Sequence, residues 1–278
     1  MLKPLKLIDE SFDRDRTGSY DLSVTISING FSFAVLDTLR NTFIVLVSTP
    51  KSEQQDFEEL FNQAMVDYPW LAGSFKHVYL SFFSPYFTPV PGKFFSEQKA
   101  RQLFELVHPL PDGFELHFTP NCNHTDATLL FALPNSVANW WLKLHPKASF
   151  LHPIAPLLSS PAAGSNVLLS VDFNENDFLV ALHDGMKFAG ANAYTGRHPN
   201  DVIYYLLAFC KELGYDSRNV KVSITGHSPM LAELNMLDGY FDRVSSIAQY
   251  PKVMLFSYQL ISHRSEYFSL FNLGASCE

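Results

Sequence analysis

The sequence predicts an α/β protein made of two successive βββαβα units, residues 20–163 and 164–278, behind a polar lead-in, 1–19. Three observations carry this reading. Each half opens on short apolar runs separated by turn residues, and each continues into an amphipathic helix. One offset also relates the halves: Phe33 and Phe178 stand 145 residues apart, as do Phe43 and Phe188, and Phe57 and Val202. A long-period repeat of this kind points to a duplicated fold.

In the first half, Leu22–Ile28, Phe31–Leu36 and Phe43–Ser48 are rich in Val, Ile, Phe and Thr and read as strands. Asn29-Gly30 joins the first two as a tight hairpin turn. Ser52-Glu53-Gln54-Gln55 fits a capping box, and Phe57, Leu60, Phe61, Ala64 and Met65 then fall on one helical face. A strand over Val78–Phe83, a helix over Ser96–Leu106, a strand over Thr128–Leu133 and a helix over Ser136–Leu144 follow. Trp140 and Trp141 are neighbours on the last helix and point about 100° apart, so they are not buried equally.

In the second half, Val167–Val171 and Phe178–Leu182 flank the turn Asn174-Glu175-Asn176-Asp177, and Met186–Tyr194 supplies a third strand. A helix over Asn200–Leu213 places Val202, Leu206 and Phe209 on one face and stops at Gly214. Val220–Thr225 reads as a strand and Pro229–Leu237 as a helix, while Tyr267, Phe268 and Phe271 suggest a last one.

Composition narrows the function classes. The chain is 47% hydrophobic and only 17% charged, where about 25% is usual, which excludes disorder as the dominant state. A net charge of −8 argues against nucleic acid and anionic membranes as general partners, since both need a basic surface. Asp9-Glu10 interrupts the start before a signal peptide can develop. The charge-free stretch Ala148–Val171 is long enough to span a bilayer, but Pro153, Pro156, Pro161 and Gly164 break it, so it reads as a soluble connection. Three scattered cysteines, Cys122, Cys210 and Cys277, form no disulfide framework, and a cytoplasmic setting is expected.

A hairpin and third strand followed by helix, strand and helix, used twice, resembles the actin-like ATPase (ribonuclease H-like) fold of actin, sugar kinases and heat-shock chaperones. Phe87-Thr88-Pro89-Val90-Pro91, together with His263-Arg264-Ser265-Glu266-Tyr267-Phe268 and the ending Cys277-Glu278, looks like an uncharacterised Bacteroidetes family of that fold. The resemblance covers residues 20–278. It implies two lobes around a cleft, with the hairpin turns facing it, and it transfers no activity.

Active members of that superfamily hold nucleotide in the cleft, where glycine lets backbone amides approach phosphate and carboxylates organise Mg²⁺ and water. Carried onto this chain, the first turn offers Asn29 and Gly30 but lacks the Asp-x-Gly carboxylate. In the second turn Asp172 matches the aspartate and Asn174 replaces the glycine. The segment that would meet adenosine keeps one glycine, Gly226, followed by His227. These six residues read as a vestigial cleft, with no catalytic or metal-binding residue among them. No cofactor is expected beyond weak ATP–Mg²⁺ binding.

Other motifs resolve as structural features. Gly226-His227-Ser228-Pro229-Met230 invites comparison with the Gly-x-Ser-x-Gly nucleophile elbow, but Pro229 has no amide for an oxyanion hole. Ser228 before Pro229 suits a helix N-cap instead. Cys122-Asn123-His124 with Asp126 falls short of a metal site and reads as a loop. The run Phe82-Phe83-Ser84-Pro85-Tyr86-Phe87 has two readings: core beneath a proline-rich loop, or a partner surface formed by Phe82, Phe83, Tyr86 and Phe87.

The expected function is a non-catalytic scaffold with a protein partner, resembling in general plan the actin-like assembly proteins of type IV pili and type II secretion. Self-association stays open. The alternative is a nucleotide-binding ATPase or small-molecule kinase with atypical phosphate turns, and nucleotide binding without turnover lies between.

Overall fold

Alternating apolar residues and the Asn29-Gly30 turn build the first sheet. The computed structural model describes residues 3–52, 54–119, 126–159, 166–245 and 254–276. Strands β1 (Leu5–Ile8), β2 (Tyr20–Ser27), β3 (Gly30–Asp37) and β4 (Thr42–Pro50) lead to helix α1 (Phe57–Asp67) and strand β5 (His77–Phe82). The sheet runs β1-β4-β3-β2-β5 and ends on a short strand β9 (Ser149–Leu151), with β5 parallel to both β2 and β9. α1 and α3 (Asn135–Leu144) pack together over this sheet. Trp141 is fully buried there, against Phe61 at 5.5 Å, while Trp140 is half-buried.

Three elements of this half differ from the sequence expectation. The lead-in is not free of the sheet: Leu5-Lys6-Leu7-Ile8 pairs antiparallel with β4, and Leu5 and Leu7 pack beside Phe43 and Leu46. The first helix is capped by Asp56, whose carboxylate accepts from the Glu59 amide at 2.8 Å, whereas Ser52 closes a separate turn to Gln55. Between β5 and α3 lies an insertion, β6 (Phe87–Pro91), α2 (Ala100–Glu105), β7 (Phe114–Thr119) and β8 (Ala127–Pro134). Its strands form a separate antiparallel sheet in the order β6-β8-β7. The strand and helix expected over 128–133 and 96–106 therefore belong to this insertion. β8 is buried along its whole length because both of its faces are covered, Leu130 and Ala132 packing with Ala100 and Phe104 and Leu129 and Phe131 with Ile154 and Leu157, so it lacks the alternation that would mark an open face.

After α4 (Ala155–Leu158) the second half repeats the plan. β10 (Val167–Asn174), β11 (Asp177–Asp184) and β12 (Lys187–Thr195) form a meander, α5 (Pro199–Glu212) crosses over, and β13 (Val220–His227) and β14 (Arg243–Ser245) add in parallel. Gly214, at φ +82°, ends α5 in the left-handed conformation. The sheet order β12-β11-β10-β13-β14 is that of β4-β3-β2-β5-β9. Even the bulges correspond, since Ile44 in β4 and Ala189 in β12 are each skipped by the register.

The offset differs along the chain. It is 145 at the bulges but 147 at the hairpins, where Ser27 opposite Gly30 corresponds to Asn174 opposite Asp177. Phe31, rather than Phe33, is thus the counterpart of Phe178. The cause is the β3–β4 connection, two residues longer than that between β11 and β12.

The stretch around Ala148–Val171 is more than a connection, because Ile154, Ala155, Leu157 and Leu158 are at most 1% exposed. They pack with Phe83 and Phe87 on one side and with Leu179 and Ala181 of β11 on the other. Gly164, the expected junction of the halves, lies outside the described residues. The short strand β15 (Leu255–Phe256) joins the edge of β4, and the chain returns to the seam as α6 (Phe268–Asn272). No helix among the described residues is long and apolar enough to cross a membrane.

Candidate functional site: the cleft between the two sheets

Side chains alternate along a strand, so positions two apart share a face. On β2 these are Thr25 and Ser27, and on β10 they are Asp172 and Asn174. The two hairpins bring these pairs, with Gly30 and His227, around one small cavity of about 70 Å³. Residues flanking both turns thus line one cavity. Asn29 does not line it: its amide bonds Ser27 Oγ at 3.2 Å and its carbonyl accepts from the Lys51 amide at 2.8 Å.

The hairpin register makes Thr25 the counterpart of Asp172. The hydroxyl on the neighbouring parallel strand repeats as well. Ser81 Oγ lies 3.2 Å from the Val24 carbonyl and 2.9 Å from Thr25 Oγ1. Thr225 Oγ1 lies 3.2 Å from the Val171 carbonyl and 2.6 Å from Asp172 Oδ1. One lobe therefore presents a neutral hydroxyl where the other presents a carboxylate. Asp172 Oδ2 accepts a second hydrogen bond, from Ser269 Oγ of α6 at 2.5 Å. Burial pushes the Asp172 carboxyl up to about 6, against the two hydroxyl donors, Ser269 and Thr225.

Both glycines of the cleft serve the chain's own backbone. A Cβ at Gly30, φ +143°, would lie 2.2 Å from the Thr49 carbonyl oxygen. One at Gly226, φ +87°, would lie 2.2 Å from the Phe173 carbonyl oxygen on the adjacent strand. The Gly226 amide donates to the Ser265 carbonyl at 2.9 Å. Its neighbour His227 holds Glu266 Oε1 through Nδ1 at 3.2 Å, and His263 Nδ1 holds Oε2 at 2.9 Å. The hydrogen bond from His227, then that from His263, keeps the Glu266 carboxyl below its ordinary value despite its desolvation.

Sequence reasoning did not single out Thr25, Ser81, Thr225, Glu266 or Ser269 as cleft residues. Aligning the halves on their hairpins would have found Thr25. Beyond Gly226 and His227 lies a larger pocket, about 500 Å³, whose lining includes the apolar Ile224, Leu231 and Leu234 and the polar Asp238, Ser265 and Glu266.

The aromatic run is core. Phe82, Phe83 and Phe87 are 5%, 9% and 5% exposed, packed beside β2 and against the α4 segment, as the core reading expects. Tyr86 alone of the four is half-buried, edge-on to Phe114 at 6.1 Å, and with Phe82, Phe83, Ile28 and Tyr194 it lines an apolar groove of about 330 Å³. Cys210 is buried, which pushes its thiol up to about 11 and leaves it unreactive. Cys122-Asn123-His124 and Cys277 lie outside the described residues, and no group of three metal-ligating side chains occurs among the described ones.

Ser228 caps the 3₁₀ segment Pro229–Gly239, its Oγ accepting from the Met230 amide at 3.2 Å. Ser228→Ala is expected to lower stability by about 1 kcal/mol in urea unfolding, and the wild type is expected to resist labelling by a fluorophosphonate.

Residues 9–244 match the model of a family described as a protein of unknown function, DUF3822. No curated protein matches the sequence. Among solved structures, a Bacteroides thetaiotaomicron protein with an actin-like ATPase fold and unknown function matches with a TM-score of 0.77 and 20% identity, covering 84% of this chain and 92% of its own. The PilM–PilN type IV pilus biogenesis complex matches with a TM-score of 0.58 and 15% identity, over 92% of this chain and 97% of the other. The ethanolamine utilization protein EutJ from Carboxydothermus hydrogenoformans gives 0.50 and 10% identity, over 97% and 92%. Identities this low carry the fold and nothing about activity. With its family matched over most of the sequence and its topology shared with these structures, the chain belongs to the DUF3822 family and has the actin-like ATPase fold.

Proposed function

We propose that this chain is a non-catalytic actin-like scaffold, working through protein partners, whose nucleotide motifs are degenerate. The observation that carries the reading is the state of Asp172. It is the only carboxylate at the two paired strand positions, and Thr225 and Ser269 each bind one of its oxygens. Phosphoryl chemistry needs open carboxylate oxygens for Mg²⁺ and amides that approach phosphate closely. Here Thr25 replaces the second carboxylate, and Gly30 and Gly226 are committed to backbone packing. The free space of about 70 Å³ is also far below the roughly 300 Å³ or more of ordinary ligand sites. These residues do not fit a Mg²⁺–nucleotide.

The shared strand order, hairpin register and bulge position support descent of the halves from one duplicated unit, divided near residues 163–164. PilM, which has this fold, occurs in a complex with PilN, and that supports a role through partners. A second reading, nucleoside or nucleotide binding without turnover, is favoured by the pocket of about 500 Å³ beside Gly226.

The test is ATP with Mg²⁺ on the purified chain. A ligand at 100 times its Kd adds about 2.7 kcal/mol to stability, so the scaffold reading expects no shift in Tm and no turnover. A Tm shift without hydrolysis selects the second reading. Turnover at about 1 s⁻¹ or faster, abolished by Asp172→Ala, overturns both.

A further inference from the structure

We propose that the cleft at Asp172 has a resident ligand, the chain's own residues 263–272, which clasps the two sheets together and takes up the space between Thr25 and Asp172. The inference rests on the scaffold reading above and deepens it. Toward the second sheet, the segment presents a ligand-like set of polar groups. Ser269 Oγ reaches Asp172 at 2.5 Å, the Ser265 carbonyl accepts from the Gly226 amide at 2.9 Å, and Glu266 meets His227 at 3.2 Å. Toward the first sheet its contacts are mostly apolar. Leu270 and Phe271 pack with Ala34, Phe43 and Leu46, the Phe271 ring lying 4.7 Å from Phe43, while the Tyr267 side chain hydrogen-bonds Ser48. Phe268 fills the seam itself, among Phe83, Leu179 and Ala181.

The chemistry of the two sides differs because they do different work. Apolar contacts anchor the segment to β3 and β4 without regard to its fine position. The polar contacts fix it against β10 and β13, where a buried carboxylate left short of donors is costly. Both sheets are thereby tied through one short stretch, and the cavity of about 70 Å³ cannot admit a larger molecule while the stretch is seated.

The full chain carrying Glu266→Gln and Ser269→Ala tests this by hydrogen exchange. The Gly226 amide, held by Ser265, is expected to exchange about tenfold faster or more, as loss of a hydrogen bond to a charged group implies. The amides of Val47 and Val180, within the two sheets, are expected to change less than about twofold. If the double variant does not fold, Ser269→Ala is read the same way, with Ser269→Thr restoring the wild-type rate. Uniform acceleration of all three amides or an unchanged Gly226 overturns the clasp. None of these outcomes involves ATP, so failure of the clasp and failure of the scaffold reading are distinguishable.

Discussion

Gly226→Ala is expected to cost about 4 kcal/mol of folding stability, in the range reserved for backbone conflicts that a fold cannot relax. Two effects add. The backbone at Gly226 has φ +87°, which costs an L-residue about 1–2 kcal/mol. The new Cβ would also stand 2.2 Å from the carbonyl oxygen and 2.4 Å from the nitrogen of Phe173, both backbone atoms of the central strand β10. Neither can move without breaking the parallel ladder in which Phe173 and Gly226 are paired. Gly113→Ala is the internal control: its φ is +79°, but nothing lies within 4 Å of the added methyl, so only the conformational cost applies. Urea midpoints of the two variants separate the terms. If Gly226→Ala loses no more than Gly113→Ala, the strand apposition is looser than described, and Gly226 regains its standing as a ligand-facing glycine.

That glycine illustrates what the sequence disclosed and what it hid. Its presence at the end of a strand, just before the Ser228 cap, was legible, as were the Asn29-Gly30 hairpin, the Gly214 stop and the alternative of core packing for Phe82, Phe83 and Phe87. These are local signals, each decided within a few residues by turn geometry, capping or burial. The reason Gly226 is glycine was not legible, because its constraint comes from Phe173, 53 residues earlier and on another strand. The bond from Ser269 to Asp172 spans 97 residues and has no local mark at all.

Asn29 failed for a different reason. A turn tip projects past the end of its sheet, whereas the lining of this cleft comes from the strand positions just before the turn, which alternate in steps of two. Thr25 and Ser27 satisfy that rule and Asn29 does not. The insertion was hidden because β8, covered on both faces, reads like a central strand of the main sheet.

Acid is expected to remove about 3 kcal/mol of stability between pH 7 and pH 4 through His152 alone. The ring is fully buried, 4.6 Å from Phe87 and 5.9 Å from Phe131. Nε2 lies 2.9 Å from the Ser84 carbonyl and Nδ1 accepts from the Ile154 amide at 3.1 Å, which assigns the proton to Nε2 and leaves no room for a second. Burial, only partly offset by the Ser84 bond, pulls its pKa down to about 3 from an ordinary 6.5. The unfolded chain therefore binds this proton first. Stability from the neutral ring is whole above pH 6.5 and is lost as pH falls toward 3. Asp172 acts in the opposite sense: with its pKa raised to about 6, it destabilises the fold above that pH and ceases to do so as pH falls toward 4. The two must be separated, and His152→Gln does so, since its amide can donate to Ser84 but gains no charge. Asp172 and the other buried histidines, His145 and His183, contribute alike to both proteins and cancel in the difference. The variant is expected to be the less stable protein at pH 7, with the gap closing by about 3 kcal/mol at pH 4 in urea titrations. A gap that stays constant would mean that the ring takes a proton without penalty, which requires water to reach it and the packing around Phe87 and Phe131 to be open rather than closed.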